Sequence, residues 1–152
     1  MENAIGAMEQ AASLYLKDLD AMSEAQLLES AGGSARVAVD FTYEVALINR
    51  RIASRLLDIE PPALPDDDGW MVAPSELRSK SEICGFLRSA CVELTEAAKS
   101  LPECESGKMI GAPGSERPAF GMVQFAAMHT MYHDAQLNFI QSLQGDLEMH
   151  WR

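Results

Sequence analysis

His129 and His133 stand four residues apart in the stretch HTMYHDAQL. On a helix that spacing puts both imidazoles on one face, about one turn apart, where two neutral ring nitrogens can grip a single metal ion. Asp40 and Glu44 are also four apart, on or beside an apolar stripe, which makes them the other inward-leaning polar pair. Asp40 with the two histidines forms a 2-His-1-carboxylate set, which suits Fe(II), Mn(II), Ni(II) or Zn(II) and leaves positions open for water and substrate. Tyr132, able to donate a proton, Gln136, able to orient a ligand, and Glu44 are the accompanying catalytic candidates. The alternative is a pair of hydrogen-bonded core histidines with no metal, since H-x-x-x-H also occurs on ordinary helix faces. Asp40 in turn could serve the helix dipole or an arginine pair, with Arg36 and Glu44 at hand.

Four segments must position these residues. Residues 2 to 21 place Ile5, Met8, Ala12, Tyr15, Leu16, Leu19 and Met22 on one stripe at helical spacing. Ser23-Glu-Ala-Gln26 then reads as a capping box that starts a new short helical turn. Ser34 is placed to cap a second long helix, residues 35 to 58, with Val37, Phe41, Val45, Ile48, Ile52 and Leu56 inward. Residues 58 to 74 carry four prolines and three consecutive aspartates, Asp66 to Asp68, a composition that sustains neither helix nor central strand. That long loop crosses or covers something, with Trp70 as its anchor, and the acidic run is a solvated one.

Ser75 opens the third long helix, whose Ile83, Leu87, Ala90, Leu94, Ala97 and Leu101 face inward before Pro102 ends it. Pro118 is suited to the first position of a fourth helix that runs to Gln144 and stops at Gly145. Its inward stripe is Met122, Phe125 or Ala126, His129, His133, Gln136, Ile140 and Leu143, which places both histidines toward the core. Four such helices without a convincing strand pattern predict an all-α fold, a four-helix bundle with long connecting loops, in a single domain of residues 1–152.

Composition narrows the chemistry. Lys and Arg number 12 against 23 Asp and Glu, a net charge of −11, which repels phosphate backbones and anionic membrane surfaces. Neither nucleic acid nor membrane is an expected partner, and a small-molecule substrate is. No apolar run approaches the roughly 20 residues of a membrane span, and the acidic N-terminus lacks a signal peptide's basic region, so the expected location is cytoplasmic. Cys84 and Cys91, seven residues apart, would lie about 10 Å apart along a helix, too far for a disulfide, and read as core residues. Cys104 falls in a loop with nothing nearby to activate it. His150 and Trp151 read as a docked tail.

The stretch HTMYHDAQLNFIQSLQGD, followed by His150-Trp151, resembles the last helix of the DinB/YfiT-like superfamily, whose members carry H-x-x-(W/Y)-H-x-x-Q-L there. VAVDFTYEVALINRRIA resembles that family's second helix. The resemblance implies a four-helix bundle, often a homodimer, that binds a divalent metal through three histidines. Some such proteins are thiol S-transferases that use low-molecular-weight thiols such as bacillithiol, mycothiol or glutathione. His129 and His133 match two of the family's ligands, and Asp40 occupies the place of the third. The expectation is a metal-dependent thiol transferase or hydrolase. The alternative is a non-catalytic dimer with a degenerate metal site, acting in ligand binding or a stress response.

Overall fold

The computed structural model describes residues 1–65 and 69–151, so the acidic run Asp66 to Asp68 lies outside the described residues. The chain is mostly helical. Helix α1 spans Glu2–Ala21, the short α2 Glu24–Leu28, α3 Ala38–Leu56, α4 Lys80–Ser100 and α5 Ala119–Leu143. Single 3-10 turns at Ser75–Leu77 and Glu103–Glu105 flank α4. Around the core, α1 packs against α4 and α5, and α3 packs against the same two helices from the other side. Tyr15, Phe41, Met8, Leu19, Leu87, Leu94 and Leu137 fill the centre with less than 2% exposure each.

Local chemistry sets the boundaries. Ser23 accepts a hydrogen bond from the Gln26 amide while Gln26 reaches back to the Ser23 amide, the capping box read from the sequence. The start of α3 differs from expectation. The helix begins at Ala38 with Val37 in the cap position and no side-chain cap, while Gly32 and Gly33 turn the chain with positive φ just before Ser34. This shortening puts Asp40 in the first turn of α3. The start of α4 moves as well: Ser75 opens only the 3-10 turn, and Ser79 accepts from the Glu82 amide to cap the helix proper. Pro118 occupies the cap of α5 instead of its first helical position.

The loop before α5 contains a small antiparallel pair, β1 Met109–Ile110 with β2 Arg117–Pro118. Two residues per strand are too few to show alternation in a sequence. Gly111 makes the turn between them, with φ +146° and Glu116 Cα only 2.9 Å from where a Cβ would stand.

Helix α5 departs most from its expected pattern. Its buried positions include Val123, Ala126, Ala127, Thr130, His133, Asp134, Leu137 and Ile140, whereas Leu143 is exposed and Gln136 only partly covered. Phe120, Met128, Met131, Tyr132 and Phe139 also face outward, so the helix is apolar nearly all round and its periodicity carries little phase information. None of the described helices is long and apolar enough to cross a membrane.

Candidate metal centre

Helices α3 and α5 lie side by side, and at their contact Glu44 meets His129 and His133. The Glu44 Oε1 atom lies 3.5 Å from His129 Nε2 and 3.7 Å from His133 Nε2, and the two Nε2 atoms are 3.2 Å apart. His133 is buried, and the side chains of His129 and Glu44 are largely covered. Phe41 stacks on His133 with ring centroids 5.4 Å apart, Phe125 stacks on His129 at 5.7 Å, and Tyr132 meets the His133 ring edge-on at 5.0 Å. Aromatic walls therefore fix both imidazole planes.

The hydrogen bonds behind the rings decide which nitrogens are free. Gln136 Oε1 can only accept, so His133 Nδ1 donates to it at 2.7 Å. A neutral His133 then keeps its Nε2 lone pair for the space shared with Glu44 and His129. Gln136 is held in turn by donating through Nε2 to the Tyr132 hydroxyl at 3.4 Å. On the carboxylate side, Arg36 Nη1 lies 2.7 Å from Glu44 Oε2, leaving Oε1 turned to the histidines. The two imidazoles, joined by Arg36, hold the Glu44 carboxyl well below the usual carboxylate range, against the opposing effect of burial. It is an anion at physiological pH.

A tetrahedral ion with donors at about 2.0 to 2.1 Å separates any two of them by about 3.3 to 3.4 Å. The three separations here, 3.2, 3.5 and 3.7 Å, lie close to that value. Two nitrogens and one carboxylate oxygen suit Zn(II), Fe(II), Mn(II) or Ni(II), as the softer thiolate donors are absent from the group. His129 Nδ1 is buried without a hydrogen-bond partner among the described residues, so no bond behind the ring supports the stacking that orients that imidazole.

Asp40 is not in this group. Its Oδ1 accepts from the Ala73 amide at 2.9 Å and pairs with Arg78 Nη1 at 2.9 Å, tying the end of the proline-rich loop to the first turn of α3. Glu44 stands about 6 Å further along the helix, at the level of the histidines, and takes the place in the three-residue set that the sequence offered to Asp40. Spacing alone does not choose between them, because Asp40 and Glu44 share a face and only the level along the axis separates them. Arg36 is the member that sequence reasoning did not place in the site.

The group opens on a cavity of about 470 Å³, whose walls include Arg36, Phe41, Trp70, Tyr132, Phe139 and Ile140. Trp70 is exposed, yet its ring lies over the Arg36 guanidinium at 4.9 Å, and Arg36 Nη2 donates to the Met71 carbonyl. The proline-rich loop is thereby anchored on the cavity edge, with buried Ala73 as its deeper attachment. Elsewhere, Cys84 and Cys91 are free buried thiols, and burial pushes Cys91 up to about 11; Cys104 is free and exposed. The tail docks far along the chain, with Trp151 Nε1 donating to Asp18 Oδ2 and Lys17 to the Trp151 carbonyl.

No family profile matches the sequence, and no curated protein does. The fold is similar to a crystal structure described as the conserved protein of locus from Enterococcus faecalis, with a TM-score of 0.74 over 93% of this chain and 95% of that one. At 12% identity the likeness concerns the fold alone.

Proposed function

We propose that the protein is a divalent-metal-dependent enzyme of the DinB type, a four-helix bundle that holds its ion between α3 and α5 through Glu44, His129 and His133. The observation that carries this reading is the convergence of those three donors at spacings a single ion can span, on the wall of a cavity large enough for a small molecule. A bound divalent ion supplies Lewis acidity there and makes a thiol or water a better nucleophile near neutral pH.

The chain's own residues prepare that site. Arg36 holds Glu44 by its Oε2 atom, so that Oε1 remains turned to the histidines. Gln136 keeps the proton on Nδ1 of His133, and Tyr132 fixes Gln136. The exposed rim lets a substrate enter, and buried Phe41 and His133 form a largely covered floor. The low-molecular-weight thiol that the family resemblance implies would form a C–S bond to an electrophile, whose leaving group departs with the bonding pair as the thiol proton passes to solvent. Two neighbouring features support the remaining assignments. The strong negative charge favours a small-molecule substrate over nucleic acid, and the apolar outer face of α5 at Phe120, Met128 and Met131 suits a homodimer.

The test is consumption of cysteine or glutathione in the presence of an alkyl halide, with protein loaded with Zn(II), Ni(II), Fe(II) or Mn(II) and with chelated protein. Metal-dependent turnover that His133→Ala abolishes is the expected result. Equal rates with and without chelator would remove the enzyme reading.

A further inference from the structure

Trp70, Tyr132 and Phe139 are 71%, 61% and 63% exposed, and all three line the cavity that the Glu44, His129 and His133 group opens on. Large exposed aromatics gathered around one concavity are uncommon without a ligand to cover them. Deeper in the same cavity lie Phe41 and Ile140, so the apolar wall runs continuously from the rim to the floor. The polar side chains of the lining, besides the Tyr132 hydroxyl and Ser34, are the three-residue group with Arg36, paired to Glu44, and Gln136, bonded to His133.

Size and charge narrow the occupant. A cavity of roughly 150 Å³ suffices for benzene, so the 470 Å³ here accommodates one or two fused rings with a polar head. Arg36 and Glu44 cancel each other as a pair, and any divalent ion held by the group leaves that end about two charges positive. Apart from that group and Arg36, the described residues that line the cavity carry no charged side chain. We infer that the cavity binds a small aromatic anion, its rings against Tyr132, Phe139 and Trp70 and its anionic head at the Glu44, His129 and His133 end. This assignment rests on the metal reading for the head and on the aromatic rim for the body, and the two parts separate experimentally.

The experiment is isothermal titration of the full chain, Zn(II)-loaded and chelated, with 2-naphthoate, 2-naphthamide, cyclohexanecarboxylate and acetate, with zinc content measured on each sample. In loaded protein 2-naphthoate binds tightest, and Phe139→Ala weakens it by about 2- to 12-fold, the equivalent of one aromatic contact, while leaving acetate unchanged. Phe139 is exposed, so the variant does not threaten folding, and unchanged zinc content confirms that the ion is retained. Equal affinity for naphthoate and acetate in protein that carries zinc overturns the aromatic class and leaves the metal reading standing. Selectivity for 2-naphthoate that persists in protein unable to hold zinc supports the aromatic rim and overturns the placement of the head. Equal binding of 2-naphthoate and 2-naphthamide to loaded protein overturns the requirement for an anion.

Discussion

Nδ1 of His133 donates to Oε1 of Gln136 at 2.7 Å, and this one bond leaves Nε2 of the same ring as the acceptor that faces Glu44 and His129. Replacing Gln136 with Ala removes the acceptor and frees the ring to take the other tautomer. The expected outcome is a loss of about 10- to 100-fold in zinc affinity, as is typical when a partner behind a ligand is lost. Competition with a chromophoric chelator measures it. Gln136→Glu, which keeps an acceptor oxygen, should restore most of the loss.

Asp40 makes the contrasting case. Its carboxylate bonds to the Ala73 amide and to Arg78, so Asp40→Asn should lower stability by about 1.5 to 3 kcal/mol, as for hydrogen bonds to charged groups. Urea denaturation of chelated protein gives the value. Zinc affinity should stay within a factor of about three, well short of a ligand's contribution.

A buried carboxyl pair sets the pH dependence of the fold. Asp18 and Asp134 are both 0% exposed, and Asp18 Oδ2 accepts from Asn138 and Trp151. Burial first, then the neighbouring Asp18 carboxyl, push Asp134 up to about 8. A carboxyl raised in the folded state favours the protonated fold. Its contribution is complete below the unfolded value of about 4 and is lost as pH rises from there to about 8. Asp134→Asn should therefore flatten the stability profile across that window. At pH 8 it should raise stability by on the order of 1 to 3 kcal/mol, because a buried charge is no longer forced on the site. Thermal melts from pH 4 to pH 9 in chelator test both parts; a parallel shift of the whole profile would count against the assignment.

The tail contributes through the same acid. Trp151→Phe keeps the ring but removes the donor to Asp18 Oδ2, and should cost about 1 kcal/mol, the net worth of one hydrogen bond. The loss should be visible in chemical denaturation and absent from zinc binding.

Much of this arrangement is legible from residue spacing, and the failures have identifiable causes. Helices α1, α3 and α4 announce themselves through apolar stripes, because their buried faces are separated from polar ones; α1 and α3 keep the inward residues Met8, Tyr15, Phe41, Val45 and Ile52 that spacing assigns them. The pairing of His129 with His133 follows from a separation of four. Helix α5 blurs the phase at its far end, since Phe139 and Leu143 are as apolar as Leu137 but face outward. The third member of the site is ambiguous in one dimension only. Asp40 and Glu44 share a face, and the level at which α3 meets α5 is set by tertiary packing, which no local pattern encodes. The role of Arg36 was hidden for a related reason: it precedes the helix, and only the folded loop brings it between Glu44 and Trp70.

Metal content is the most direct test of the three-residue group. Mass spectrometry on untagged protein, reconstituted with Zn(II) and freed of excess, should find about one ion per chain in wild type and in Asp40→Asn, and little in Glu44→Gln or His133→Ala. Wild type that cannot be loaded, or an ion lost from Asp40→Asn but kept by Glu44→Gln, would contradict the assignment of Glu44, His129 and His133 as the metal ligands.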